Sequence, residues 1–153
     1  IALLFAEMEG GPQLPNAKPR EKFARRLTES VAGLARDRDS LAVRQAGLHA
    51  LGRITPIAAQ AMPVFEEALQ KDEEPGARRL AAYALSEVAA NARASAFSDR
   101  LKTLELVVRA AGLGLRTNDD EQVRGHCLQG AEEAARALMD YILDFPGVTR
   151  EDL

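Results

Sequence analysis

The sequence has no tryptophan, a single cysteine and two histidines among its 153 residues. One cysteine, Cys127, excludes both an internal disulfide and a zinc site built from cysteines. It falls inside a helical pattern, where a free cysteine behaves as a small hydrophobic residue, and such a thiol is compatible with any redox compartment. Aromatic residues make up only 5% of the chain, which favours closely packed, alanine- and leucine-rich helices over a β-sandwich.

Long apolar runs are also missing. The longest covers residues 1–6 and is far shorter than the roughly 20 residues that a membrane-spanning helix needs. Because the chain begins with Ile1 rather than Met, we expect it to belong to a longer parent protein. Residues 1–6 are then either the end of a membrane anchor or signal segment that lies upstream of Ile1, or a short packing helix.

A strongly basic surface is missing as well. The formal net charge is −3, with residues 1–116 carrying +3 and residues 117–153 carrying −6. Neither part gathers the Lys and Arg of a nucleic-acid interface, so we expect no nucleic-acid partner. The acidic C-terminal part is expected to aid solubility or to repel polyanions.

What the sequence does contain is a repeat. The stretch DSLAVRQAGLHALGRI at residues 39–54 recurs in modified form at residues 73–88 and 119–134. A unit that recurs in this way cannot bury its apolar face alone, so we expect the units to stack on one another. Alignment on the shared arginine gives two columns of small and aliphatic residues: Val43, Ala77 and Val123 in one, and Leu51, Leu85 and Ala131 in the other.

Helical periodicity and turn signals predict six helices in three pairs within a domain at residues 18–145, flanked by a tail or linker at residues 1–17 and a tail at residues 146–153. In the second helix, Gly47 and Gly52 are explained by close approach to a neighbouring helix. The expected buried stripes include Phe23, Leu27, Val31 and Leu34 in the first helix; Val43, Ala46, Gly47, Ala50, Leu51 and Ile54 in the second; Phe97, Leu101, Leu104, Val108 and Ala111 in the fifth; and Val123, Cys127, Ala131, Ala134, Leu138 and Ile142 in the sixth.

Local signals predict several helix ends. Asp39 or Ser40 is expected to cap the second helix. Asn118, with Glu121 three residues later, resembles a capping box at the start of the sixth helix. The fifth helix is expected to fray at the glycines of residues 112–114.

The repeat resembles the HEAT repeat, and within that family the bacterial HEAT-like repeats also found in relatives of phycobilisome lyases. The resemblance spans residues 18–140 and implies an all-α fold. It implies a right-handed α-α superhelix, a HEAT/armadillo-like solenoid, of about three antiparallel helix pairs with the second helix of each pair on the concave side. The residues that carry it are Asp39, Val43, Arg44, Ala46, Ala50, Leu51 and Gly52 in the first unit, Asp72, Ala77, Arg78, Ala81, Ala82, Ala84 and Leu85 in the second, and Asp119, Val123, Arg124 and Ala131 in the third.

The resemblance also assigns a structural role to acidic and arginine side chains, which in HEAT repeats form a ladder between the turns of neighbouring units. An acidic group near a helix N-terminus interacts well with the helix dipole, and an arginine can bridge two carboxylates. We therefore expect these arginines to be structural rather than ligand-binding. The ladder residues are Asp39, Arg44, Asp72, Arg78, Asp119 and Arg124.

Convergent polar groups of the kind that catalysis requires are few. His126 is next to Cys127, but adjacent residues of a helix point about 100° apart, so the two make a poor base and nucleophile. The paired acidic residues look like turns or solvated faces, and the glycines of residues 112–114 do not form a phosphate-binding loop. We predict that the chain is not an enzyme, with no catalytic residue, no metal site and no cofactor.

Binding is the better interpretation, because a stack of helix pairs presents a long groove. The concave-face residues mix both charges with one aromatic ring, which suits a protein or peptide partner; an ordinary solvated face is the alternative. The candidate binding residues are Gln45, His49, Arg53, Arg79, Tyr83, Glu87 and Gln129.

These observations predict a non-enzymatic protein-interaction or scaffold module. One alternative is a ligand-sensing or regulatory domain of a larger, membrane-tethered protein. A further alternative, which the lyase relatives imply, is an accessory domain that chaperones an enzyme or a covalently attached chromophore. A cytoplasmic location is favoured, and the sequence does not indicate an oligomeric state.

Overall fold

The computed structural model describes residues 17–54, 58–92 and 97–143. Within these ranges the chain is all-α, as predicted, and contains no strand. The expected anchor segment at residues 1–6 and the tail at residues 146–153 lie outside the described residues. The helices are α1 (Ala17–Leu34), α2 (Leu41–Arg53), α3 (Ala58–Lys71), α4 (Pro75–Ala92), α5 (Phe97–Thr117) and α6 (Glu121–Leu143).

The helices pack in two layers. The even-numbered helices contact one another in chain order, α2 with α4 and α4 with α6, and the odd-numbered helices do the same. Each odd helix also contacts the even helix that follows it, so the fold consists of three units: α1 with α2, α3 with α4, and α5 with α6. The handedness and curvature that the resemblance implies stay a prediction. No helix in the described ranges is both long and apolar enough to cross a membrane.

Helix α2 begins at a side-chain cap and packs through glycine. The Ser40 hydroxyl accepts a 3.3 Å hydrogen bond from the Val43 N–H, as expected for a helix N-cap. A Cβ on Gly47 would lie 2.7 Å from the Cα of Ala35, at the end of α1. A Cβ on Gly52 would lie 2.9 Å from the Cβ of Ala84 on α4. Because no side chain fits at either point, the two glycines set the spacing between α2 and its neighbours.

The predicted stripe of α2 is partly wrong. Ala46 is exposed and Ala50 only partly buried, whereas Leu48, which the prediction omitted, is fully buried together with Leu51. The reason is that α2 packs against both α1 and α4, so its buried face turns towards Leu48 and Gly52.

The predicted stripe of α1 is partly wrong: Leu27 and Val31 pack partly buried against the core, but the fully buried positions lie one residue further along the helix. Phe23 and Leu34 are 49% and 51% exposed, while Ala24 and Thr28 are buried. The Thr28 hydroxyl donates a 2.9 Å hydrogen bond to the Ala24 carbonyl, which satisfies its polar group inside the core. Small residues fill this contact because the helices lie too close together for larger ones.

The stripes predicted for the third unit are partly right: Leu104, Ala111, Val123, Cys127 and Ala134 are buried as expected, but other positions are not. In α5, Leu101 and Val108 are exposed, whereas Val107 and Ala110, which the prediction omitted, are fully buried. In α6, Leu138 is exposed and the preceding alanine is buried in its place. Helix α5 does not fray at residues 112–114 but continues to its end at Thr117.

Candidate functional site

Three equivalent arginines hold the turns of the fold. Arg44, Arg78 and Arg124 each occupy the fourth position of their helix, which places the three even-numbered helices in one register. Each donates from Nη1 to a backbone carbonyl upstream of its own helix. Arg44 donates to Asp37 at 3.1 Å, Arg78 to Asp72 at 2.7 Å, and Arg124 to Leu115 at 3.4 Å.

Three aspartates form matching turns before the same helices. Asp37, Asp72 and Asp120 each accept, through Oδ1, a hydrogen bond of 2.9–3.0 Å from the N–H two residues later. This is the Asx turn, in which a side-chain oxygen replaces a backbone acceptor. Asp120 also accepts a 3.1 Å bond from Val123, and Asp37 a 2.7 Å bond from Ser40.

Two ion pairs join consecutive units through these aspartates. Arg44 donates to both carboxylate oxygens of Asp72, at 3.0 and 3.3 Å, and the two side chains are only 16% and 10% exposed. Arg79 donates to Oδ2 of Asp120 at 3.0 Å from Nε and 2.8 Å from Nη2. The hydrogen bond from Arg79 is the main reason that the pKa of Asp120 falls to about 2. Backbone N–H donors lower it further, and desolvation opposes the shift.

The ladder in the structure differs from the predicted one. Arg44 and Asp72 meet, but at the next junction Arg79 replaces Arg78 and Asp120 replaces Asp119. Nη1 of Arg78 donates to the carbonyls of Asp72 and Glu73 in the turn before its own helix. Arg79, the next residue, points about 100° further around the helix, towards α6.

At the first turn, Asp39 is exposed and Asp37 supplies the Asx side chain. The predicted capping box before α6 is also wrong, because Asp120 is the residue whose side chain accepts from the first turn of the helix. Asn118 is instead buried, and its amide donates to the carbonyls of Leu69 at 3.0 Å and Gly114 at 3.4 Å.

Tyr83 of α4 is held by neighbouring side chains at both its hydroxyl and its ring. The Tyr83 hydroxyl donates a 3.1 Å hydrogen bond to Glu87, and its ring packs edge-on against His126, with ring centroids 5.5 Å apart. The bond to Glu87 raises the pKa of Tyr83, and the positive charge of Arg53 opposes this shift. We call Arg53, Tyr83, Glu87 and His126 the Tyr83 cluster.

The remaining predicted binding residues divide into two groups. Gln45 lies between α2 and α4, since a Cβ on Gly76 would come 2.7 Å from its Nε2, and Arg79 is engaged with Asp120. His49, Arg53 and Gln129 are exposed. Gln45 and Arg79 therefore take part in contacts between units, whereas His49, Arg53 and Gln129 lie on the surface.

Sequence reasoning missed His126 as the neighbour of Tyr83. Alignment of the repeats placed Gln129 at the position next to Tyr83. Successive even-numbered helices, however, meet with an offset of two to three residues relative to that alignment. Counted from the aligned arginines, Gly52 in position 8 meets Ala84 in position 6. Tyr83 in position 5 likewise meets His126 in position 2. The glycines were the available signal, because they mark the closest contact points.

A cleft of about 670 Å³ opens between the turn after α1 and the turn after α3. Its lining is charged, and two of its arginines are paired: Arg36 with Glu67 at 2.7 Å, and Arg44 with Asp72. In the part of the chain that the structure describes, no group of three or more His, Cys, Asp or Glu could hold a metal ion. Burial raises the pKa of the Cys127 thiol to about 11, which does not suit a nucleophile.

Comparison with protein-family models, with curated proteins and with solved structures finds no match to this chain. The resemblance to HEAT repeats therefore stays a prediction, drawn from the repeated residues.

Proposed function

We propose that this chain is a non-enzymatic protein-interaction module built from HEAT-like repeats that stack into a right-handed superhelix. A protein or peptide partner binds the exposed face of α2, α4 and α6. The observation that supports this proposal is the Tyr83 cluster, which offers a partly buried aromatic ring held at both its hydroxyl and its edge.

An aromatic ring with a polar tip is a frequent anchor of protein interfaces. The bond to Glu87 and the packing on His126 restrict the Tyr83 side chain before any partner arrives. Little side-chain entropy is then lost on binding, which favours affinity.

The surroundings of the ring suit a polypeptide. Arg53 supplies a positive charge, Glu87 a negative one, and His49 and Gln129 add exposed polar groups. Peptide groups and side chains of either charge find complementary groups there, whereas a polyanion would meet Glu87.

The test is affinity capture with the immobilised wild-type chain and two variants. Tyr83→Ala combined with His49→Ala is expected to lose every specific partner while it keeps the helical circular dichroism. Phe23→Ala is the matched control, because it removes a ring of similar size, 49% exposed, from the odd-numbered layer. Recovery of all wild-type partners by the Tyr83 variant would contradict the proposal, and their loss only in Phe23→Ala would move the site to α1.

The ligand-sensing alternative is favoured by one observation, the cleft of about 670 Å³, which has the size of a small-molecule pocket. A compound bound there would raise the melting temperature of the wild type. The rise would be lost in Arg38→Ala, which changes the cleft lining, and kept in Tyr83→Ala. A compound with this pattern would favour sensing over partner binding.

A further inference from the structure

Helix α6 exposes positions that α2 and α4 bury. Leu128 is 51% exposed, although the equivalent residues four positions after the aligned arginine, Leu48 and Ala82, are completely buried. Ala135 is exposed, and its equivalent Ala89 is buried. Among the described side chains of α5 and α6, five large hydrophobic ones are exposed: Leu101, Val108, Leu128, Leu138 and Met139.

In the earlier units, this side of the even-numbered helix contacts the next unit. Four residues beyond Leu48 is Gly52, which meets Ala84 of α4. A Cβ on Gly130 of α6 would likewise come 3.4 Å from the backbone nitrogen of Ser86, four residues beyond Ala82. The outward side of α6 therefore continues an interface that the fold uses twice.

The opposite end of the fold exposes the complementary side of α2. Ala84 and Gly130 are the residues of α4 and α6 that meet the preceding helix, and their equivalent in α2 is Ala50. Ala50 is partly exposed, and Ala46 and Ala42, about one and two turns earlier on the same side, are exposed. Small residues at this end offer room for a larger side chain such as Leu128.

The two ends of the fold also carry oppositely charged side chains that match the ion pairs between units. Asp37 makes the same Asx turn as Asp72 and Asp120, but within the described residues it forms no ion pair. Arg124 is equivalent to Arg44, and no carboxylate pairs with it in the same ranges. Among the described residues, the first unit thus carries an aspartate, Asp37, and the last unit an arginine, Arg124, of the type that forms ion pairs between neighbouring units.

The net charges of the two ends are opposite as well. Residues 17–54 contain nine basic and four acidic side chains, and residues 121–143 contain two basic and four acidic ones. Unlike ends of two copies therefore attract each other, and like ends repel.

We propose that the chain associates with a second copy of itself head to tail, the outward side of α6 in one copy packing on the exposed side of α2 in the next, with Arg124 paired to Asp37. Such an interface is heterologous, so each added copy leaves a free end of each kind. The proposal is independent of partner binding at the Tyr83 cluster, and Tyr83→Ala is expected to associate like the wild type.

Sedimentation velocity over a range of concentrations tests this association. We expect the mass of the wild type to rise above the 16.6 kDa monomer with concentration, and to fall again at high salt because charge pairs contribute. Arg124→Asp and Asp37→Arg are each expected to weaken association about tenfold or more, since like charges then meet. Arg26→Asp, an equal charge change on an exposed residue of α1, is the control: it lowers the net charge of its end but leaves the proposed ion pair intact, so it should weaken association far less than Arg124→Asp does.

Mixing the two variants gives the sharpest result. Arg124→Asp keeps its Asp37 end and Asp37→Arg keeps its Arg124 end, and the introduced aspartate and the introduced arginine also carry opposite charges, so an equimolar mixture should regain the association that each variant alone has lost. Leu128→Glu tests the same side without touching the ion pair, and Asp37→Asn removes the charge while its amide oxygen preserves the turn. A wild type that stays monomeric at all concentrations, or a mixture that forms no dimer, would overturn the proposal.

Discussion

The side-chain amide of Asn118 donates a 3.0 Å hydrogen bond to the carbonyl of Leu69, which lies 49 residues earlier in the chain. Leu69 is in the last turn of α3, where carbonyls have no partner within the helix. The same amide also reaches the Gly114 carbonyl near the end of α5. One buried side chain thus joins the ends of two odd-numbered helices from different units.

Asn118→Ala should therefore lower the free energy of unfolding by about 1–3 kcal/mol, because it leaves the buried carbonyl of Leu69 without its side-chain donor. Urea unfolding measures this loss. Ser30→Ala is the control: its exposed hydroxyl donates to the Arg26 carbonyl, and its removal should cost about 0.5 kcal/mol or less. Equal losses in the two variants would show that the Asn118 amide is not a link between units.

Arg44→Ala should destabilise the fold more than Arg53→Ala. The first removes a largely buried bidentate partner of Asp72 and should cost about 2 kcal/mol or more, since it leaves a carboxylate without its cation. The second removes an exposed arginine and should cost about 0.5 kcal/mol or less. Thermal and urea unfolding of both variants at one ionic strength gives the comparison, and equal effects would argue against the register of the repeat.

The stability of the fold should depend on the ionisation of Asp120. Its pKa is about 2 in the folded protein, below the ordinary value of 3.8, so the carboxylate stabilises the folded state above about pH 4. That contribution is lost as the pH falls from about 4 to about 2.

Asp120→Asn keeps the turn and removes this titration. Its unfolding free energy, measured by urea between pH 5 and pH 2.5, should fall less steeply than that of the wild type. Arg79→Ala should flatten the dependence in a similar way, because the hydrogen bond from Arg79 is the largest cause of the lowered pKa. Parallel curves for wild type and Asp120→Asn would contradict the assignment.

Two glycine-to-alanine changes should have opposite signs. Gly52→Ala places a Cβ 2.9 Å from that of Ala84, and overpacking of this kind costs about 1–3 kcal/mol. Gly125→Ala meets nothing within 4 Å, so the better helix propensity of alanine should stabilise α6 by about 0.5–1 kcal/mol. Chemical unfolding of the pair tests the α2–α4 contact, and a stabilising Gly52→Ala would show that these helices lie further apart.

The helical class and the register of the arginines could be read from the sequence, because both depend on local signals. Periodicity and turn residues mark each helix, and Arg44, Arg78 and Arg124 all fall in the fourth position. The buried face was harder to predict. In alanine-rich helices with neighbours on two or three sides, a stripe through Phe23 and one through Ala24 look equally apolar, and the spacing of the helices decides between them.

The side-chain partners of the ladder could not be predicted for a related reason. Arg78 and Arg79, like Asp119 and Asp120, are adjacent residues of the same type, and only the helix rotation selects the pair that meets. The contact of Tyr83 with His126 depends on the offset between α4 and α6, which is a property of packing.

Because Cys127 is buried, the reaction of its thiol with a reagent in solution reports local opening of the fold. It is the only cysteine, it is completely buried, and its sulfur occupies the space beside Gly114 where a side chain would otherwise project. An alkylating reagent reaches the thiol only when α5 and α6 separate, so the labelling rate measures the equilibrium of that opening. Breathing of the last unit is thereby separable from global unfolding, without any introduced label.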